Sequence, residues 1–310
     1  MRPRLSASLF ALCLSSCSTL PAEPEGPPPS YLSTEASVAD MISRIASQQA
    51  TGANETPSMV MNSLEHLLPA WLEEQRKVRA GPLENVLTQK VVVAFDQVAE
   101  MFLTGPHERQ LVAAWALGFS RVPDNDRGIV SRHEEALDIL LQALPEVSDD
   151  VLSNIMLALW KLGDPATPLP LVTEIVVDHH DAMVRANATL VLATVLTADT
   201  ADFATDVLLV ALGDSEPRVR LHAARVAIEF PHPALTQRME ARLLEEETPF
   251  VTAAMARALG IAGSPSSAIP LIALLHNPRQ IISSNAHVAL IRIFGHDRGP
   301  TAEDWADLVN

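Results

Sequence analysis

No cysteine occurs after residue 17. Cys13 and Cys17 are the only two, so nothing beyond them can form a disulfide or a thiolate metal site, and stability has to come from packing. Glycine is limited to 12 residues and aromatics to 4% of the chain, which leaves little of the turn chemistry that β-hairpins need. Positive charge is short as well: 22 Lys and Arg stand against 38 Asp and Glu, a formal net charge of −16. That field repels a phosphate backbone, so no nucleic-acid partner is expected. The chain also lacks a Gly-rich phosphate loop, a G-x-S-x-G elbow and any Cys/His nucleophile arrangement, so no catalytic residue, no cofactor and no enzymatic activity is expected.

What is present is a chain with 48% hydrophobic residues, dominated by Ala, Leu and Val. That is enough to bury a core, and Ala and Leu favour helices, so the expected fold is all-α. The N-terminus is of a different kind. "MRPR" is basic, "LSASLFALCL" is apolar but too short for a stable span, and "LSSC" puts small residues ahead of Cys17: the n-region, h-region and cleavage zone of an export signal. Leu14-Ser15-Ser16-Cys17 resembles the lipobox of bacterial lipoproteins. The resemblance implies cleavage before Cys17 and lipid on its thiol and amine, because a thiol is the nucleophile that accepts the diacylglyceryl group. Ser18, a residue other than Asp after that cysteine, implies by the same resemblance export to the outer membrane. "STLPAEPEGPPPS" follows, Pro-rich and acidic, and reads as an extended spacer. The expected segments are a signal peptide at 1–16 and a lipidated cysteine with spacer at 17–35.

From Val151 the chain repeats itself. "VLSNIMLALWKLGDP" from Val151, "VRANATLVLATVL" from Val184, "VRLHAARVAIEF" from Val219, "VTAAMARALGIAGSP" from Val251 and "ISSNAHVALIRIFG" from Ile282 begin 31 to 35 residues apart. Positions one, five, eight and nine of each are apolar, which is one face of a helix. Amphipathic segments such as "ATPLPLVTEIVVD" and "DFATDVLLVALGD" precede them, so the unit is helix, polar turn, helix. A period of this size built from helix pairs predicts an α-solenoid.

"GDSEPRVRLHAARVA" from Gly213, "DAMVRANATLVLA" from Asp181 and the prolines of "PLPLV" and "AIPLI" resemble HEAT repeats, in particular the short HEAT-like repeats of bacteria. The resemblance implies bends at Pro170 and Pro270 and an Arg-to-Asp pairing between neighbouring repeats, which Thr252 and Ser283 put in doubt for the last two units. We expect a helical cap or diverged repeats at 36–104, the solenoid at 105–297 and a C-terminal tail at 298–310, pinned by Trp305.

Among candidate chemical groups, "RHEEAL" from Arg132 resembles the local motif of deoxyhypusine hydroxylase, a HEAT-like enzyme that binds iron through His-Glu pairs. That family needs four pairs in equivalent repeats, and this chain has two, His107-Glu108 and His133-Glu134, out of phase with the later period. A metal at these pairs is one alternative reading, and a structural subunit of a larger envelope complex is another. "DHHD", Asp178 to Asp181, falls in the turn between two helices, where a solvated turn is expected and no metal site. Binding is what remains. The third, sixth, seventh and tenth positions of each second helix are expected to face outward, Ala186, Thr189, Leu190 and Ala193 in the unit at Val184. On that reading Trp160, Arg225, Arg257 and His287 are the anchors for a protein partner, a helix or an extended peptide, on a scaffold at the bacterial envelope.

Overall fold

The computed structural model describes residues 55–76, 81–122 and 130–308. The signal segment, Cys17, the spacer and the helix expected in "SVADMISRIASQQ" lie outside the described residues. Among the described residues the chain is helical with no strand, and no helix is long and apolar enough to cross a membrane. It forms two compact units, one ending at Leu162 and the other beginning at Gly163.

The first unit contains α1 (Pro57–Arg76), α2 (Gly81–Val93), α3 (Phe95–Thr104), α4 (His107–Leu117), α5 (His133–Ala143) and α6 (Asp149–Leu162). Helix α3 pairs with α4, α5 with α6, and α4 packs against α6. That last contact is close: a Cβ on Gly118, which caps α4, would lie 2.8 Å from the Cα of Ala158. Helix α1 lies against α2, α3 and α4 and delivers Trp71, 1% exposed, into an aromatic cluster. Its ring meets Phe119 edge-on at 5.0 Å, with Trp160 at 6.2 Å and Trp115 at 6.4 Å. The indole Nε1 donates to Glu84, which pairs in turn with Lys161 at 2.8 Å. Each edge-on pair adds about 0.5–1.5 kcal/mol beyond the area it buries. Lys90 is 2% exposed and both carboxylate oxygens of Glu55 accept from it at 2.8 Å, the pairing that a buried ammonium requires.

The second unit contains four helix pairs: α7 (Leu169–Asp178) with α8 (Ala182–Val195), α9 (Ala201–Ala211) with α10 (Pro217–Glu229), α11 (Pro233–Arg242) with α12 (Pro249–Ala262), and α13 (Ala268–Leu274) with α14 (Gln280–Phe294). The second helices pack in chain order, α8 on α10, α10 on α12, α12 on α14. This is the all-α solenoid of helix pairs that the period predicts. Each second helix starts where its turn chemistry dictates. Asp181 caps α8 by accepting from the amides of Met183 and Val184, Glu216 caps α10, and Pro217 and Pro249 stand at first helical positions, where a missing N–H has no cost.

The two prolines expected to bend their helices do not. Helix α7 starts at Leu169 and α13 at Ala268, so Pro170 and Pro270 sit in first turns, among the amides that have no intrahelical acceptor anyway. They start helices and interrupt none. At the other end, Gly295 takes φ +75° to stop α14, a conformation glycine adopts without a Cβ penalty. The chain then folds back through a 3-10 turn at Glu303–Leu308 against α13, and Trp305, 0% exposed, donates its indole N–H to the Gly299 carbonyl at 2.7 Å. The polar tail is thus a cap on the last repeat, pinned by the residue expected to pin it.

Candidate functional site

Two sets of residues recur in the second helices, one that joins repeats and one that faces solvent. The joining set is a ladder of ion pairs. Arg185 forks onto both oxygens of Asp214 at 2.8 and 3.0 Å, while its remaining nitrogen donates to the carbonyls of His179 and His180. One repeat later Arg220 forks onto Glu246 at 2.7 Å twice and reaches back to the carbonyls of Asp214 and Ser215. Each arginine therefore clamps its own turn and the next one. Burial would push both carboxyls up, but the facing guanidinium and a backbone amide outweigh it and hold Asp214 and Glu246 below the ordinary carboxylate range. The ladder ends where the sequence departs from the repeat. Thr252 stands in the arginine position and its hydroxyl donates to the Glu246 carbonyl, doing locally what the guanidinium does elsewhere.

The turn residue at the receiving end has a second task. Asp214, Glu246 and Asn277 each accept a hydrogen bond from the amide two residues on, and His179 does the same through Nδ1. "DHHD" is therefore the turn it was expected to be: His179 closes it, the two imidazoles stack at 4.8 Å, and Asp181 caps α8.

The solvent-facing set differs from expectation by about half a turn. In α8, α10 and α12 the third and sixth positions are buried: Ala186, Thr189, Leu221, Ala224, Ala253 and Ala256. They lie on the side where the next second helix packs, as Gly260, tenth in α12, shows by its contact with Ala289 of α14; a Cβ there would lie 2.7 Å from that residue's Cα. What stays open on α12 is the residue before position one together with positions four, seven and eleven, Phe250, Ala254, Arg257 and Ile261, a stripe about 60° wide at 100° per residue. On α10 the same face is open at Arg218, His222 and Glu229 and closed at Arg225, and on α8 positions four and seven, Asn187 and Leu190, are buried. Among the described residues no further second helix packs on α14, and its third and sixth positions, Ser284 and His287, are not sealed.

The four expected anchors fall out unequally. Trp160 is half-buried with its ring against Trp71, part of the first unit's aromatic cluster. Arg225 is 4% exposed, too enclosed to serve as a surface anchor, and is corrected on that ground. Arg257 is half-buried on the open stripe, and its Nε has no hydrogen-bond partner among the described residues. His287 is held by the tail: its ring bonds Asp297 at 2.8 Å and lies edge-on to Trp305. Residues not anticipated are Arg218, His222 and Ile261, the last 45% exposed. Their signal was present in the i, i+4, i+7, i+11 spacing from the residue before each repeat.

Neither His-Glu pair belongs to a cluster of three or more metal-ligating side chains among the described residues. His107 bonds Asp150 at 2.8 Å and His133 bonds the hydroxyl of Ser131 at 2.8 Å. An open cleft of about 350 Å³ lies between the ends of α10 and α12 and the start of α11, lined by His232, Thr236, Gln237, Glu240 and Ser264. Its carboxylate, Glu240, already accepts from the hydroxyls of Ser266 and Ser267.

A family model for HEAT repeats matches residues 205–291, the segment holding the Arg220–Glu246 rung and the open stripe of α10 and α12. No curated protein sequence matches the chain. Among solved structures it is similar to human deoxyhypusine hydroxylase in complex with glycerol, at 18% identity and a TM-score of 0.37, over 85% of this chain and 100% of that one. The expectation that the chain is not an enzyme is corrected here, since the protein it is similar to is one. A likeness of that degree carries no activity, metal or substrate over to this chain.

Proposed function

We propose that the chain is a lipid-anchored interaction scaffold of the bacterial cell envelope, delivered by the signal at 1–16, tethered through Cys17 and held off the bilayer by the spacer at 17–35. The observation that carries this reading is the stack of HEAT-like pairs in the second unit, which leaves an open stripe on α10 and α12 with Arg257 and Ile261 on it. Repeat stacks present extended surfaces of this kind to protein partners. Several acyl chains, each buried CH₂ contributing about 0.8 kcal/mol, hold a protein on a membrane stably, so the tether sets where the surface works. Two experiments test the two halves. Cys17→Ser should release the protein from the membrane fraction and raise the mass of the mature chain by the uncleaved signal; a membrane-bound product of unchanged size would end the lipoprotein reading. Crosslinking in the native envelope from a photoreactive residue at Ile261 should capture a defined protein, and capture that is equally strong from the buried position Ala256 would count against the open stripe.

A further inference from the structure

Charge is segregated in the second unit. Helices α8, α10, α12 and α14 carry Arg185, Arg218, Arg220, Arg225, Arg257 and Arg292 against one acid, Glu229, in a chain whose net charge is −16. The acids sit on first helices, on turns and in the tail. Two of the arginines, Arg185 and Arg220, are neutralised in the ladder. On the open stripe the balance differs. Arg218 is exposed in the first turn of α10, where the helix dipole disfavours a cation, and beyond a 3.5 Å contact with the sulfur of Met183 it has no ion pair among the described residues. Arg257 is half-buried on α12 with its Nε enclosed and unpartnered. Between them His222 has an enclosed Nδ1 without a partner, and burial together with the charges of Arg225 and Arg218 pushes its pKa down to about 3, so it faces the stripe as a neutral ring.

A half-buried cation without a counter-charge, as Arg257 is, costs folding free energy unless something supplies the missing charge. We infer that the stripe of α10 and α12 binds an extended acidic segment of a protein partner, its carboxylates meeting Arg218 and Arg257. This rests on the scaffold reading above and names the chemistry of its partner. Adjacent packed helices lie about 8–10 Å apart, and Arg257 stands two turns, about 10 Å, further along its helix than Arg218, so the two Cα atoms are about 14 Å apart. Carboxylates four residues apart lie on one face of an extended chain about 13 Å apart, so a segment crossing the two helices obliquely presents one acid to each. Beyond the basic residues the stripe turns apolar, at Ile261 (45% exposed) and Val288 (47% exposed), so the segment carries apolar side chains between or after its acids.

The test uses the full chain in detergent and a fluorescein-labelled peptide repeating Glu-Ser-Leu-Ser, read by anisotropy. The peptide should bind, its affinity should fall steeply as salt rises through about 0.3 M, and a Gln-Ser-Leu-Ser peptide should bind at least about tenfold more weakly. The double variant Arg218→Gln/Arg257→Gln should lose about tenfold or more, Arg218→Lys/Arg257→Lys should stay within about threefold, and Arg238→Gln on α11 should have no effect, all with unchanged circular dichroism. Equal binding of the Gln peptide, indifference to the Arg218/Arg257 pair, or displacement by inorganic polyphosphate at equal charge concentration would each overturn the inference. A partner crosslinked at Ile261 alongside any of these results would sink the acidic-segment claim and leave the scaffold reading standing; no crosslinked partner with intact peptide binding would do the reverse.

Discussion

The two units solve the same problem, holding helix pairs together, with different chemistry. The first gathers Trp115, Trp160 and Phe119 around Trp71, which α1 delivers, and its close helix contact is made at Gly118. In the second the described aromatic rings gather at the tail, Trp305 against Phe294, His287 and His296, while its second helices meet through Ala and Gly, and Arg185 and Arg220 bolt one turn to the next. An aromatic cluster is one irreplaceable centre, whereas a ladder is a series of local joints. The first unit should therefore fail all at once, and the second should fail joint by joint.

The largest effect is expected for Trp71→Ala, at about 4 kcal/mol, since it removes the ring on which three others converge. Hydrogen exchange should show protection lost before Leu162 and kept after Gly163; loss in both units would break the comparison. Arg220→Ala comes next, at about 3 kcal/mol, because it leaves the buried carboxylate of Glu246, with a side chain 1% exposed, only a 3.5 Å ion pair with Arg242. Here exchange should rise around the turn at Glu246 and not in α1 to α6. Gly260→Val should cost about 2 kcal/mol and detach the last pair in particular, its side chain having to fit where Ala289 already sits.

Acid should separate the units as well. Asp214 and Glu246 titrate in the folded chain below their unfolded values, so their stabilisation is complete above about pH 4 and is lost as pH falls through the folded values. A pH series of melts should show the second unit weakening below about pH 4; if Arg185→Gln/Arg220→Gln weakens identically over that range, the ladder is not the cause. The smallest expected change is a gain. Thr252→Arg with Asn277→Asp would add a third rung, raising stability by about 1 kcal/mol in denaturant titration, and neither substitution alone should achieve it.

Much of the second unit could be read in advance because its signals are local and periodic. "VRAN" and "VRLH" announced the ladder, and the absence of Arg at Thr252 announced its end. The open stripe was harder, because the apolar period locates the core face but does not reveal that neighbouring second helices seal two further sides; Ala186 and Ala253 look equally suited to a surface and to a tight contact. Arg225 misled for a related reason: a charge at an outward position reads as exposed unless the surrounding packing is known. The first unit was legible only as helices. Nothing in the spacing of Trp71, Trp115 and Trp160 says that they meet, since their convergence depends on how α1 crosses its neighbours, and Trp160 consequently looked like a docking residue.

The turn position shared by His179, Asp214, Glu246 and Asn277 has a consequence for how such a stack can change over generations. All four accept the same backbone hydrogen bond although they differ in charge and shape, so the geometry of the turn is indifferent to which of them is present. Where no arginine faces the turn, drift among His, Asn, Asp and Glu can therefore proceed one repeat at a time without disturbing its geometry. Whenever an arginine arises one repeat upstream, a turn that happens to be acidic is ready to receive it, and tighter coupling between modules becomes accessible by a single substitution.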